Sequence, residues 1–254
     1  MVDIEQFTCR SDNFGVLVHD VQSGRTVAID APDADAVEAA LERRGWQLTD
    51  ILVTHKHADH IEGLAALKEA HGCTIAGPRA EAEAIGRLDE YLVEGSEYVA
   101  GDLVFEVIET PGHTAGEVSY YCAQAGAVFA GDTLFSMGCG RLFEGTAEQM
   151  LASLGKLKRL PIETMVYCGH EYTQSNAAFA RTVDPDNAAL KDRAEQVQAL
   201  RIMGEPTLPV SLKTELATNP FLRTADPAIR RHLGMEHEDE AAVFAQLRAR
   251  KDRF

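Results

Sequence analysis

The chain holds nine histidines, and three of them fall within six residues, His55-Lys56-His57-Ala58-Asp59-His60. Imidazole and carboxylate are the side chains that zinc and similar borderline divalent ions accept, and a tight loop after a strand can aim several of them at one point. In an extended stretch alternate side chains share a face, so His55 and His57 can converge on one ion while Asp59 and His60 turn towards a second. One loop cannot complete two coordination shells. Three further candidates each follow an apolar run: His113 in Thr110-Pro111-Gly112-His113-Thr114, Asp132 in Gly131-Asp132-Thr133, and His170 in Cys168-Gly169-His170-Glu171. Five histidines and two aspartates suffice for two ions if one carboxylate bridges. The plain alternative is a solvated loop that happens to be rich in histidine. Four ligand-type residues in six positions, with three more behind them, argue against it. His19, His71, His232 and His237 lie outside these motifs and read as packing or surface residues. Two divalent ions ~3.5–4 Å apart share a water and lower its pKa to about 7, so hydroxide becomes available without a protein base and hydrolysis is the expected reaction class.

Such a set has to be positioned by a rigid frame, and residues 1 to about 170 alternate strand-like and helix-like runs in the manner of a layered α/β architecture. Strands are expected at Phe14 to His19, Thr26 to Asp30, Ile51 to Thr54, Leu103 to Glu109, Val118 to Cys122, Ala127 to Ala130 and Met165 to Tyr167. Helices are expected at Asp33 to Arg44, whose acidic start suits an N-cap, at Leu64 to Ala70 and at Ala147 to Leu160. Each candidate ligand stands just past a strand, where loops carry chemistry. Asp30 ends one of those strands and is placed to orient a ligand from behind. After Tyr172 the pattern turns helical, at Ala177 to Val183, Asn187 to Ile202, Pro227 to Leu233 and Glu240 to Arg250, with no convincing strand. A smaller helical second domain follows, and the Pro-rich segment GEPTLPVSL within it reads as an ordered loop.

Composition narrows the partners. A formal net charge of −16 argues against nucleic acid or an anionic membrane surface, both of which would be repelled. No apolar run reaches the ~18 residues needed to cross a bilayer, and the acidic amino terminus lacks a signal-peptide pattern, so the cytoplasm is the expected compartment. Cys9, Cys73, Cys122, Cys139 and Cys168 form no CxxC pair and read as reduced, buried thiols.

The HxHxDH loop, the later lone His, the Asp and the final His resemble the metallo-β-lactamase superfamily, in order, over about the first two-thirds of the chain. That resemblance implies an α+β fold, the αββα sandwich, in residues 1–170, with a smaller C-terminal helical domain in 171–254. It further implies that one ion takes His55, His57 and His113, that the other takes Asp59, His60 and His170, and that Asp132 bridges. Asp59 and Asp132 are then the catalytic carboxylates. Zinc is the first expectation, with iron or manganese compatible with the same donors.

Substrate choice lies in the rest of the chain. The segments GHEYTQSNAAFA, GCGRLFEGT, NPFLR (Asn219 to Arg223) and RARKDRF (Arg248 to Phe254), with the helical extension, resemble the glyoxalase II, or hydroxyacylglutathione hydrolase, family. The activity so implied is hydrolysis of S-(2-hydroxyacyl)glutathione thioesters, with S-lactoylglutathione giving glutathione and lactate as the second step of methylglyoxal detoxification, in a monomer. The same resemblance places Arg141, Phe143, Tyr172, Arg248 and Lys251 against the glutathione. An acidic chain with an anionic substrate needs such a local basic pocket. Two positions depart from the family pattern: Phe143 stands where many members have Tyr, removing a hydroxyl, and Arg141 stands for the commoner Lys. The nearest rival is a single-iron persulfide dioxygenase sharing the first domain, which lacks the helical extension. A lactonase would keep the same core with a different pocket. A non-enzymatic binding module would keep the fold, but the presence of all seven ligands weighs against it.

Overall fold

The computed structural model describes residues 1–254, which form two compact units: residues 1–110 with 114–131, and residues 111–113 with 132–254.

The first unit is built on two sheets. The first sheet runs β1 (Val2–Cys9), β2 (Asn13–Asp20), β3 (Thr26–Ile29), β4 (Asp50–Leu52), β5 (Thr74–Pro78) and β6 (Glu90–Leu92) in spatial order. Its first three strands are antiparallel and its last four parallel. The parallel half needs crossovers, which α1 (Ala34–Arg44), α2 (Ala58–Ile61), α3 (Leu64–His71) and α4 (Ala82–Ile85) supply. Asp33 caps α1 by accepting from the Ala36 N–H at 3.1 Å, and Gly45 ends it in the left-handed region at φ 67°. Val37, Ala40 and Leu41 of α1 and Leu64 and Leu67 of α3 bury against Leu17, Ala28, Ile51 and Ile75 of the sheet. Three- and four-residue spacing meeting two-residue spacing makes this the expected helix-on-sheet core.

Antiparallel strands β7 (Glu97–Ala100), β8 (Leu103–Glu109), β9 (Val118–Cys122) and β10 (Ala127–Phe129) form the second sheet of this unit. Two buried tyrosines tie it to the first. Tyr98 of β7 donates to Asp50 at 2.6 Å, and Tyr120 of β9 donates to the Val53 carbonyl. Such phenols let an apolar interlayer keep its polar tips satisfied.

The second unit carries a two-strand hairpin, β11 (Leu134–Phe135) with β12 (Gly138–Cys139), then α5 (Ala147–Leu157) and β13 (Met165–Tyr167). Thr146 and Gln149 close a reciprocal capping box on α5. Helices α6 (Thr173–Val183) and α7 (Ala188–Ile202), the short β14 (Val210–Ser211), α8 (Leu212–Thr218), α9 (Pro227–Leu233) and α10 (Glu240–Asp252) complete it. Ala177 and Ala180 of α6 pack with Leu190 and Val197 of α7, and Phe244 of α10 meets the Phe221 ring at 5.5 Å. No helix is long and apolar enough to cross a membrane. The five cysteines are all buried and none forms a disulfide.

The structure holds seven strands that the sequence pattern does not single out, β1, β5, β6, β7, β11, β12 and β14, all but β1 of five residues or fewer. β1 pairs with β2 over all eight residues, yet its sequence VDIEQFTC is an edge strand, half-buried and charged, with weak apolar alternation. β14 lies in the GEPTLPVSL segment, which reads as loop in the sequence. It is two residues long and held by backbone pairing to β13, too short for any periodicity to register. The segment is otherwise the ordered loop expected of it, with a cis Leu208–Pro209 bond.

Candidate metal centre

β4 feeds the histidine loop directly. Thr54, His55 and Lys56 lie between β4 and α2 outside any helix or strand, His57 is the N-cap of α2 with φ −62° and ψ 143°, and Asp59 and His60 stand in that one-turn helix. His55 and His57 do come together, as expected of them, while Asp59 and His60 follow within the helical turn. His55 is fully buried, with Nε2 3.0 Å from His57 Nδ1 and its ring centroid 4.1 Å from that of His60. Imidazoles packed so closely repel when protonated and suit lone-pair donation to cations.

Behind them stands Asp30, at the end of β3. Its Oδ1 accepts from the Thr54 N–H at 2.7 Å, and Oδ2 from the Thr54 hydroxyl at 2.8 Å and from His60 Nδ1 at 2.8 Å. That last bond sets the His60 tautomer so that Nε2 carries the lone pair, 3.9 Å from Asp59 Oδ2. Asp30 has φ 59°, a left-handed conformation that a non-glycine residue rarely holds unless its surroundings impose it. Glu81 holds the loop from another side: it accepts the Lys56 N–H at 2.7 Å and the Gly116 N–H at 3.1 Å, while buried itself. Neither Thr54 nor Glu81 carries a readable signal in the sequence, because their roles rest on partners distant along the chain.

The second unit presents its own ligating group. Its His113 gives Nδ1 to the Arg141 carbonyl at 2.9 Å, which leaves Nε2 as the lone-pair nitrogen, 3.4 Å from Asp132 Oδ2. His170 Nε2 stands 3.3 Å from the same oxygen. One buried carboxylate oxygen thus lies within 3.4 Å of two imidazole Nε2 atoms, close enough for all three to serve as metal donors. Gly140 permits it, since a Cβ there would come within 1.9 Å of the Asp132 carbonyl. Neutral imidazoles with fixed tautomers, interleaved with carboxylates, form a donor set that fits borderline divalent ions, and both units offer one.

Around this second group lie the candidate substrate residues. The Tyr172 ring stacks on His170 at 4.8 Å and 3°, and Phe143 lies against His113 at 5.1 Å. Phe143 is 61% exposed and Tyr172 39%. Arg141 is exposed. Arg248 is buried: its Nη1 donates to the Cys139 carbonyl at 2.8 Å, and Nη2 pairs with Asp252 at 3.0 Å. Lys251 Nζ donates to the Ser175 hydroxyl at 2.9 Å and lies between the Phe179 and Phe254 rings. Burial, and then the positive charges of Arg248 and Arg141, push the Lys251 ammonium down to about 8. A charged lysine in such surroundings would be stabilised by a nearby anion.

The hairpin leading to Arg141 is held by Glu215, which no motif singles out, and by Asn219 of NPFLR. Buried Glu215 accepts from the Ser136 hydroxyl at 2.7 Å and the Met137 N–H at 2.8 Å. Asn219, the first residue of NPFLR, donates to the carbonyls of Phe135 and Gly138 at 3.1 and 2.9 Å. The final residue of that motif, Arg223, pairs with Asp184 and Asp226. Asn219 of NPFLR therefore fastens the hairpin, while its Arg223 ties the end of α6 to the start of α9.

Known proteins agree with this geometry. The metallo-beta-lactamase superfamily model matches residues 24–170, and the model described as hydroxyacylglutathione hydrolase C-terminus matches residues 171–254. A hydroxyacylglutathione hydrolase of Brucella anthropi is 57% identical over 253 residues, covering 100% of this chain and 97% of that protein. Among solved structures, ETHE1 from Myxococcus xanthus superposes with a TM-score of 0.62 at 31% identity, over 85% of this chain and 96% of that one. A structure described as TTHA1623 in a di-iron-bound form gives 0.62 at 27% identity, over 86% and 100%. With the fold, the two His/Asp groups and a near-full-length match in hand, the chain belongs to the hydroxyacylglutathione hydrolase family of the metallo-β-lactamase superfamily.

Proposed function

We propose that the chain hydrolyses S-(2-hydroxyacyl)glutathione thioesters, S-lactoylglutathione foremost, with two divalent ions, zinc first among them, as a cytoplasmic monomer. His55, His57 and His113 are assigned to one ion, Asp59, His60 and His170 to the other, and Asp132 to both. Residues 1–170 are the catalytic domain and 171–254 the helical domain that completes the glutathione site, the boundary at which the two family matches change over. The observation that carries this reading lies inside the second unit, which combines the His113–Asp132–His170 group with a cluster of Arg141, Arg248 and Lys251 in a chain of net charge −16.

Two such ions, when bound, acidify water and polarise a carbonyl. The chain's own residues do the rest. Arg141, Arg248 and Lys251 receive the glutathione carboxylates, while Phe143 and Tyr172 present aromatic faces beside His113 and His170. Asp132 sets its carboxylate between the two imidazoles. A thiol of pKa about 8.5 departs as its anion, so the site requires no general acid from the protein.

Release of free thiol from S-lactoylglutathione, followed before and after exhaustive chelation, tests reaction and cofactor together. Full activity in metal-free protein, or no thioesterase with oxygen uptake on glutathione persulfide, would sink the reading. A second expectation concerns pH. Carboxylates bind the protonated Lys251, so KM should stay flat below pH 7 and rise as pH passes about 8, whereas in Lys251→Ala it starts high and loses that rise, with kcat little changed. A KM profile identical in the two proteins would remove Lys251 from the substrate site.

A further inference from the structure

Asn13 opens β2, buried, and its backbone is fixed by the ladder that pairs β1 with β2 up to Cys9↔Asn13. Its side-chain amide donates twice to one residue, to Asp59 Oδ2 at 3.1 Å and to the Asp59 carbonyl at 3.2 Å. Both acceptors are oxygens, so only the NH2 end of the amide can face them. At the same hairpin tip Arg10 donates to the Pro32 carbonyl at 2.8 Å and pairs with Glu62. The turn between β1 and β2 is thus pinned to the stretch that carries the ligand loop.

We propose that Asn13 is a positioning residue for the metal ligand Asp59, a statement that rests on Asp59 and His60 being ligands of one ion. The Asp59 side chain is 37% exposed, and an exposed carboxylate left alone samples several rotamers. Asn13 selects one of them, in which Oδ2 stands 3.9 Å from His60 Nε2. Each carboxylate oxygen carries two lone pairs, so Oδ2 can accept from Asn13 and still serve a cation. Asp30 does for His60 what Asn13 does for Asp59. The two supports reach adjacent ligands from the two strands of one hairpin, Asn13 at the start of β2 and Asp30 just past the end of β3.

Asn13→Asp tests this at nearly constant shape, because it sets carboxylate oxygen against the two Asp59 oxygens. Zinc-loaded wild type, Asn13→Ala and Asn13→Asp are titrated with a competing chelator, and bound zinc is counted per chain. The expected result is two ions in the wild type and, in both variants, one ion held as before and the other weakened by about 10–100-fold, more in Asn13→Asp. Thermal melts of the metal-free proteins check that the variants fold, and the isosteric variant is retained if the alanine one does not. Unchanged affinity at both sites, or equal weakening of both, overturns the proposal. A wild type that holds no second ion refutes the ligand assignment beneath it, while thioesterase loss on chelation would still stand or fall separately.

Discussion

Asp132→Ala is expected to abolish thioester hydrolysis and to leave purified protein with at most one ion per chain, measured by elemental analysis beside kcat/KM. Asp132 Oδ2 stands within 3.4 Å of both His113 Nε2 and His170 Nε2. Its removal takes away the negative charge set between two buried imidazoles, and the cationic load of two metals then falls more heavily on neutral donors. The loss should exceed the about 10–100-fold that a merely supporting residue costs. Asp132→Asn separates charge from shape: it keeps an oxygen in place with the negative charge gone, and a deficit nearly as large would assign the effect to charge. Retention of full activity with two ions in Asp132→Ala would remove the bridging role outright. Because His113 is fixed by the Arg141 carbonyl and packed against Phe143, the imidazole should hold its orientation in the variant, so metal loss is expected with little change in the thermal melt of metal-free protein.

The candidate ligands can be read from the sequence because metal chemistry is carried by residue type and by position after a strand. His55 follows β4, Asp132 follows β10 and His170 follows β13, each with an apolar run before it. Helix starts are also local facts: Asp33, Asn187 and Asp226 cap α1, α7 and α9 with their own side chains. Of the supports only Asp30 is legible, as an acid that ends a strand before the cluster; the others each depend on a distant partner. Glu81 meets Lys56 across 25 positions, Asn13 meets Asp59 across 46, and Glu215 meets Met137 across 78. Nothing in a window around Glu81 or Glu215 distinguishes them from the many solvated acids of this chain. Arg248 illustrates the same limit from the other side. The motif resemblance places it at the substrate, but nothing local announces that the fold buries it on the Cys139 carbonyl, where it raises the local potential at Lys251.

Glu215→Ala is expected to be the most destabilising substitution outside the ligands, by about 3–5 kcal/mol in urea unfolding of the metal-free protein, because three buried donors lose their acceptor at once. Those donors are the Ser136 hydroxyl, the Met137 N–H and the Asn219 amide. Met137 sits at φ 54°, a left-handed conformation that costs a non-glycine residue about 1–2 kcal/mol, and the carboxylate on its N–H is part of what holds it there. Burial pushes the Glu215 carboxyl above its ordinary range, while the same three donors pull it back, which is the signature of a carboxylate fitted to its receptors. Glu215→Gln keeps one acceptor oxygen and should recover roughly half of the loss. The hairpin continues through Gly140 into Arg141, whose carbonyl orients His113, so the glutamine variant should also raise KM for the glutathione thioester more than it lowers kcat. Equal stability of Glu215→Ala and the parent protein would show that the hairpin is held by the amides of Asn219 and Asn176 alone.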